Sequence, residues 1–501
     1  MELVFQENRL DYPAKVFSET VSMEQTADLI VPDSVADCDR IIDSFGTVLL
    51  RSEDCSDGSV AVSGYVQAGV LFVTEAGEIE RLEAQIPFQV RRELPQTQSP
   101  CVMQTRCMLR SVDARALNSR KVLLRVGVSC TMTVYAEQTH ICYDLSAPAP
   151  TLRLKRTVLP LRMPSALGEK TFPLNEELEL PTGKNPIGRL LKCLCRLQVG
   201  EQKLVGSKAV FKGTAVVRVL YEDTDGGLCT HEWEVPFSQY AEMERELDDC
   251  ELQTALALTA LEAEPDGQLD SRRVFLSAEL RAQCTAVGQR QVALIEDAYC
   301  TDGVLEPQWD AWSIGGVLDR QTLRETAILT SEQGAGAVID AWVYADEPSR
   351  RRVGTTMELE LPLSCNVLFT DAEGKPQGRT MRTAVTLHTE VAENGQCAMT
   401  DFGGGELFSA ASAAGMELRV PLAVTVETTA EHSLRGMCGG TVEPLTETGE
   451  KQPAVILRRT DRDEELWDIA KSLRISLDSI AAANGLQGTT VPADTMLLIP
   501  M

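Results

Sequence analysis

Apolar and polar residues alternate along most of this chain. Phe211, Gly213, Ala215, Val217, Val219 and Tyr221 take every second place in one run, interleaved with Lys212, Thr214, Val216, Arg218, Leu220 and Glu222. Side chains two apart share a face of an extended backbone, so the run predicts a strand with one buried face. The same alternation returns in Val122 to Val134, in Val274 to Cys284 and in Met416 to Val426. Each of these predicts a long strand with an apolar inner face, preceded by a hairpin and shorter strands. Near the C-terminus the period changes. Leu466, Ile469, Ala470 and Leu473 stand at the i, i+3, i+4, i+7 spacing of an amphipathic helix. Ser476 is placed to cap a second helix, with Leu477, Ile480 and Ala481 on one face and Asn484-Gly485 as its stop. Strand-like Val455 to Leu457 and Met496 to Ile499 flank the pair, which gives the order β, α, α, β.

A shift of 149 residues lays the chain on itself without a gap. Pro32, Gly64, Phe72, Gly77, Pro87 and Phe88 fall on Pro181, Gly213, Tyr221, Gly226, Pro236 and Phe237. A further shift brings Phe72 to Phe369 and Gly77 to Gly374, so 70–77, 219–226 and 367–374 are three copies of one element. It reads as a strand end running into a polar turn whose glycine needs a positive φ. The third copy departs from the others. Leu361 stands where Gly64 and Gly213 stand, and Ala384 where Pro87 and Pro236 stand. Repeats of this length exceed solenoid periods, so each is expected to own a core, and three in tandem to make an elongated particle.

The 501 residues are too many for one core. Hydrophobic content of 44% with 24% charged residues is that of a folded chain. A formal charge of −27 repels phosphate backbones and anionic lipid, and suits a basic partner surface. Met1 to Leu10 holds two acidic side chains and no apolar run, so no secretory signal is expected and the product is placed in the cytoplasm. The fifteen cysteines lack the paired spacings of a disulfide framework or zinc site and are expected to be reduced and mostly buried. Cys193 and Cys195 would share one strand face as small apolar residues.

Residues 455–500 resemble the LysM family. Leu466, Trp467, Ile469 and Ala470 match its first helix, Ala483 and Asn484 the end of its second, and Leu497, Ile499 and Pro500 its close. Where the family has a Gly-Asp-Thr turn this chain has Asp463, Glu464 and Glu465, and Ala493 replaces a later glycine. With the repeated turn upstream, the whole arrangement resembles the SPOCS-domain proteins of endospore-forming bacteria. It is most similar to the clostridial spore coat morphogenetic type that partners stage IV sporulation protein A. The resemblance implies a mainly β chain: SPOCS-like β repeats over 1–149, 150–301 and, in degenerate form, 302–440, a linker over 441–453, and a βααβ LysM domain over 454–501. It also implies a place in the mother cell, at the forespore surface or spore coat, beside a coat morphogenetic ATPase.

Nothing nominates a catalytic centre, a metal site or a cofactor. His140, His231, His388 and His432 are far apart with no metal or nucleophile pattern around them. Gly403-Gly404-Gly405 lacks the Lys-Ser or Lys-Thr of a phosphate loop and reads as a hairpin connection. Trp467, with its neighbours at helical spacing, reads as core rather than as a sugar-stacking ring. Trp309 and Trp312 flank acidic residues and could anchor a surface or plug an interface. The expected activity is a non-enzymatic scaffold that binds a coat protein through Asp463, Glu464 and Glu465 and the loop Gly485, Leu486, Gln487 and Gly488, which the LysM resemblance sets side by side. The three carboxylates could equally be the solvated first turn of a helix. The alternative function is a wall-associated protein that reads peptidoglycan or another glycan through the same surface.

Overall fold

A computed structural model describes residues 2–500 apart from 57, 95–99, 147–149, 248, 269, 333–335, 406, 413–414 and 446–453. The first repeat contains β1 (Phe5–Ile30), β2 (Cys38–Ser56), β3 (Ser59–Thr74), β4 (Ile79–Glu93), β5 (Cys101–Asn118) and β6 (Lys121–Leu145). They form two antiparallel sheets, β1-β6-β5 and β2-β3-β4. The second repeat contains β7 (Leu152–Glu179), β8 (Ile187–Val205), β9 (Lys208–Asp223), β10 (Leu228–Glu242), β11 (Cys250–Pro265) and β12 (Arg273–Cys300). Its sheets, β7-β12-β11 and β8-β9-β10, have the same order.

The third repeat contains β13 (Gly303–Ser331), β14 (Val338–Ala345), β15 (Ser349–Val353), β16 (Thr356–Thr370), β17 (Pro376–Glu390), β18 (Gly395–Gly404), β19 (Phe408–Ser412) and β20 (Gly415–Pro444). It follows the same plan with two strands interrupted. β14 and β15 share the side of β16 that β2 takes along β3, and β18 and β19 share the side of β20 that β5 takes along β6. The long apolar-faced runs lie in β6, β9, β12 and β20 as their alternation predicts. The opening strands β1, β7 and β13 are equally long, which the sequence reading missed. Strand β20 continues to Pro444, so the first residues of the segment read as linker, 441–444, are paired with β13; the rest of it, from 446, lies outside the described residues, as does Pro148 at the first boundary. Gly403 and Gly404 close β18 and are not a free connection.

The repeated turn is the same in all three copies. Gly77, Gly226 and Gly374 have φ of 86°, 83° and 78°, a region open to glycine at little strain. Each donates its N–H back to the carbonyl of the residue that opens the turn, Thr74, Asp223 or Asp371. Side chains there finish the job: Asp223 Oδ1 accepts from Asp225 and Gly227, and Asp371 Oδ1 from Glu373 and Lys375.

Gly64 and Gly213 serve one purpose by another route. A Cβ at Gly64 would lie 2.5 Å from the Leu49 carbonyl oxygen and 2.6 Å from the Phe88 ring, and one at Gly213 2.5 Å from the Gln198 carbonyl oxygen and against Phe237. The cross-strand phenylalanine fills the space the glycine leaves. In the third repeat the bulk changes sides: Leu361 replaces the glycine and pairs with Val385. Gly213→Val is therefore expected to destabilise the chain by about 1–3 kcal/mol, and Gly213→Leu with Phe237→Val to recover much of that loss in urea unfolding. Equal stability of wild type and Gly213→Val would remove this account.

The three repeats do not string out into the expected elongated particle. They close into a ring. Each has its own core between its two sheets, but further clusters draw on all three. Ile42, Phe45 and Leu71 pack with Leu191, Leu194 and Leu220 and with Leu368, which are the same places in successive repeats. The paired ends of β1 and β6, β7 and β12, and β13 and β20 meet in a second shared cluster that contains Tyr12, Met163 and Ile314. Trp312 stacks on His140 there, ring centroids 4.3 Å apart, and so plugs the interface between the third and first repeats.

On the axis of the ring sits a charged triad. Asp43, Lys192 and Asp340 are separated by the repeat offsets of 149 and 148 and occupy one position in three copies. Lys192 Nζ is 2.5 Å from a carboxylate oxygen of each aspartate, and all three side chains are at most 3% exposed. Arg218 adds a bond of 2.7 Å to Asp340, so two positive charges balance two negative ones. Burial pulls the Lys192 ammonium down, but the two carboxylates outweigh it and lift it to about 12. In every repeat a register shift immediately precedes the triad residue, between Ile41 and Asp43, Leu190 and Lys192, and Val338 and Asp340. The bulge turns a position that would face outward toward the axis.

Cys55 and Cys101 are joined in a disulfide, Cα atoms 6.5 Å apart, which corrects the reading of all cysteines as thiols. Their separation of 46 residues carries no motif that could have revealed it. Cys193 and Cys195 do share a face, packed against the second core.

Candidate functional site

The C-terminal module consists of β21 (Val455–Arg459), β22 (Glu464–Glu465), α1 (Leu466–Leu473), α2 (Leu477–Asn484), β23 (Thr490–Val491) and β24 (Met496–Pro500). β21 pairs with β24 and β22 with β23. Leu466, Ile469, Ala470, Ile480, Leu497 and Ile499, all nearly inaccessible, make its core. Ser476 precedes α2 as the cap residue without a side-chain cap bond, and Gly485 ends α2 at φ 64°. Asn484 ties α2 to β24, donating to the Leu498 carbonyl at 2.6 Å and accepting from the Leu498 N–H at 2.7 Å.

Asp463 precedes the short strand β22 of Glu464 and Glu465, so all three lie before α1 and not in its first turn, where Asp468 is the acidic residue. Their carboxylates are engaged within the module. Asp463 accepts the Ala493 N–H at 2.8 Å, Glu464 pairs with Arg458 at 2.6 Å, and Glu465 accepts the Thr490 hydroxyl at 2.8 Å. The loop Gly485 to Gly488 runs into Thr489, whose carbonyl receives the Leu466 N–H at 2.7 Å. The two segments therefore flank one rim. Leu486 packs partly into the core, whereas Asp463, Glu465, Gln487 and Gly488 are exposed.

The other side of the module rests on the ring. Trp467 Nε1 donates to Asp297 Oδ2 at 2.8 Å, and Lys471 Nζ reaches both oxygens of that carboxylate at 2.6 and 2.7 Å. Burial pushes Asp297 up, but the bonds from Lys471 and Trp467 outweigh it and hold the carboxyl below the usual range. Tyr299 donates its hydroxyl to the Ile475 carbonyl at 2.7 Å and meets Trp467 edge to face, so it belongs to the module's own apolar cluster. Only the second repeat can offer this seat, because its Tyr299 corresponds in strand register to Ser146 of the first repeat and Thr441 of the third. Sequence reading placed Trp467 in a core and missed that Tyr299 of β12 is part of that core. With Trp467 and Lys471 turned to the ring, the rim stays open. So does a strip on the outer face of the β21-β24 sheet, where Val455, Leu457, Met496 and Leu498 are 47, 68, 59 and 40% exposed.

Residues 186–264 match the family described as SipL, SPOCS domain, and residues 462–500 match the LysM domain family. The first match spans β8, β9, β10 and most of β11; the second covers the module from just before β22 to β24. No curated protein and no solved structure matches the chain. The SipL family implies sporulation, and neither domain family is enzymatic. No helix among the described residues is long and apolar enough to cross a membrane.

Proposed function

We propose that the protein is a non-enzymatic scaffold of spore coat assembly, working in the mother cell at the forespore surface, whose LysM module captures a coat morphogenetic ATPase of the stage IV sporulation protein A kind. One observation carries the choice of protein over glycan. Trp467 is the only aromatic residue of 454–501, and its indole is spent on Tyr299 and Asp297. Sugar-binding surfaces stack pyranose rings on aromatic faces, and this rim offers none. The exposed strip of Val455, Leu457, Met496 and Leu498 suits a protein surface, since large apolar side chains grouped in the open mark association sites. The ring then holds the captured partner at a set distance and angle from itself.

Titration calorimetry of the full chain tests this. Saturable binding of the ATPase is expected, weakened at least roughly tenfold by Leu457→Asp, together with no binding of chito-oligosaccharides tighter than about millimolar. Micromolar sugar binding by the unaltered chain, with none to the ATPase, would establish the wall-binding function in its place.

A further inference from the structure

Proline guards the same point of an edge strand in the first two repeats. β4 and β10 end their sheets, and Pro87 and Pro236 sit in their middles opposite Tyr65 and Thr214. An edge strand is a template for another strand, and a proline on it removes a donor. β17 is the matching edge of the third repeat, and Ala384 takes the proline's place. There the proline has crossed the ladder: Ala384 faces Pro362 of β16. Pro362 has no N–H to exchange, so the pair is of the kind without mutual hydrogen bonds, and the N–H and C=O of Ala384 point to the open side. Arg382, Thr386, His388 and Glu390, at even steps from it, present theirs the same way.

All three edges hold a seven-residue stretch free of charge, 84–90 in β4, 235–241 in β10 and 383–389 in β17, and only that of β17 lacks a proline. Between Arg382 and Glu390, β17 reads Thr-Ala-Val-Thr-Leu-His-Thr, rich in strand formers and free of acidic, lysine and arginine side chains. Among the described residues no strand is hydrogen-bonded along its free side; β13 packs beside it, where Gln321 reaches Thr389, and β2 meets its first residues, where Arg40 reaches Pro376. We propose that β17 is a self-association edge, along which a second copy of this chain adds its own β17 antiparallel and joins two sheets into one. The charges select the register. A two-fold axis at Thr386 sets Arg382 opposite Glu390 of the second copy, twice over, whereas axes at Ala384 or His388 leave both charges without an opposite. Arg382 is well exposed, reaching only Asp113 at 3.0 Å, and is available for that contact. The inference does not depend on what the LysM module binds.

Sedimentation equilibrium of the full chain decides it. The wild type is expected to dimerise in the micromolar range, and Ala384→Pro to remain monomeric. That variant should fold, because the first two repeats hold proline at this place; its circular dichroism and melting curve check the point. Glu390→Arg should weaken dimerisation roughly tenfold by setting like charges opposite, and adding Arg382→Glu should restore it. This pair carries the test if Ala384→Pro fails to fold. A wild-type chain that is monomeric at about 100 µM overturns the proposal, as does a folded Ala384→Pro variant that dimerises as well as the wild type.

Discussion

Lys192→Met is expected to destabilise the folded chain by about 3–5 kcal/mol at neutral pH, an effect larger than the glycine substitution in the β sheets. The methionine matches the length of the lysine stem, so packing is nearly kept while the ammonium at the ring axis is lost. Two carboxylates then face one another inside the apolar shell of Ile42, Leu191, Leu220 and Leu368. Arg218 still holds Asp340, which leaves Asp43 as the buried charge without a countercharge, its carboxylate accepting only the Ser44 N–H among the described residues. Burial already pushes the Asp43 carboxyl above its ordinary value, Lys192 being the chief charge that counters it, so removing the lysine pushes it further. A carboxyl whose folded pKa exceeds its unfolded one binds the proton more tightly when folded. The variant should therefore regain stability as pH falls from neutral toward that raised value. In the wild type, Lys192 contributes stability that is complete below its unfolded pKa and is lost only as pH rises through about 12. Urea unfolding at pH 7 and at pH 5.5 checks the sign, and Asp43→Asn in the Lys192→Met background should recover part of the loss at pH 7. A variant as stable as the wild type at both pH values would show that the triad does not hold the ring.

That triad also marks where the sequence stopped being legible. The period-two runs located the long strands, the gapless shift found the repeats, and the turn glycines proved to have the positive φ their place required. Each of those signals is local to one copy. Ring closure is a relation between copies, and its signature is a column: apolar at 42 and 191, and Asp, Lys, Asp at 43, 192 and 340. Read along one strand, Asp43 next to Ile42 and Ser44 looks like an outward residue of an ordinary edge. The register shifts at Ile41/Asp43, Leu190/Lys192 and Val338/Asp340 invert the alternation there, and no count of period two can see a bulge. The LysM elements were legible because their helical spacing is local, and Gly485 ends α2 where expected. Its seat on the ring was not, since Asp297 and Tyr299 lie some 170 residues upstream and belong to a strand whose other copies carry no tyrosine at that place.

Trp467→Ala is expected to destabilise the LysM module by about 3–5 kcal/mol, enough to melt so small a unit. Two contributions make up that figure. The indole fills space against Tyr299, its ring centroid 5.0 Å away, and its N–H satisfies an Asp297 carboxylate that is already partly desolvated. Both contributions cross from module to ring, since Tyr299 and Asp297 lie on β12, so a change on the ring alone should reach the module. Asp297→Ala leaves every residue of 454–501 in place yet is expected to lower the module's transition by roughly 1–2 kcal/mol, since it removes charge-assisted bonds from Trp467 and from a half-exposed Lys471. Tyr299→Phe should cost about 1 kcal/mol, the bond to the Ile475 carbonyl alone. Because Trp467 and Asp297 share one contact, the double variant should lose less than the two single losses added together. Scanning calorimetry of the full chain resolves the question. If Asp297→Ala and Tyr299→Phe both leave the module's transition unmoved while Trp467→Ala abolishes it, the tryptophan is holding the module's interior only, and the LysM rim is not carried at a set orientation by the ring.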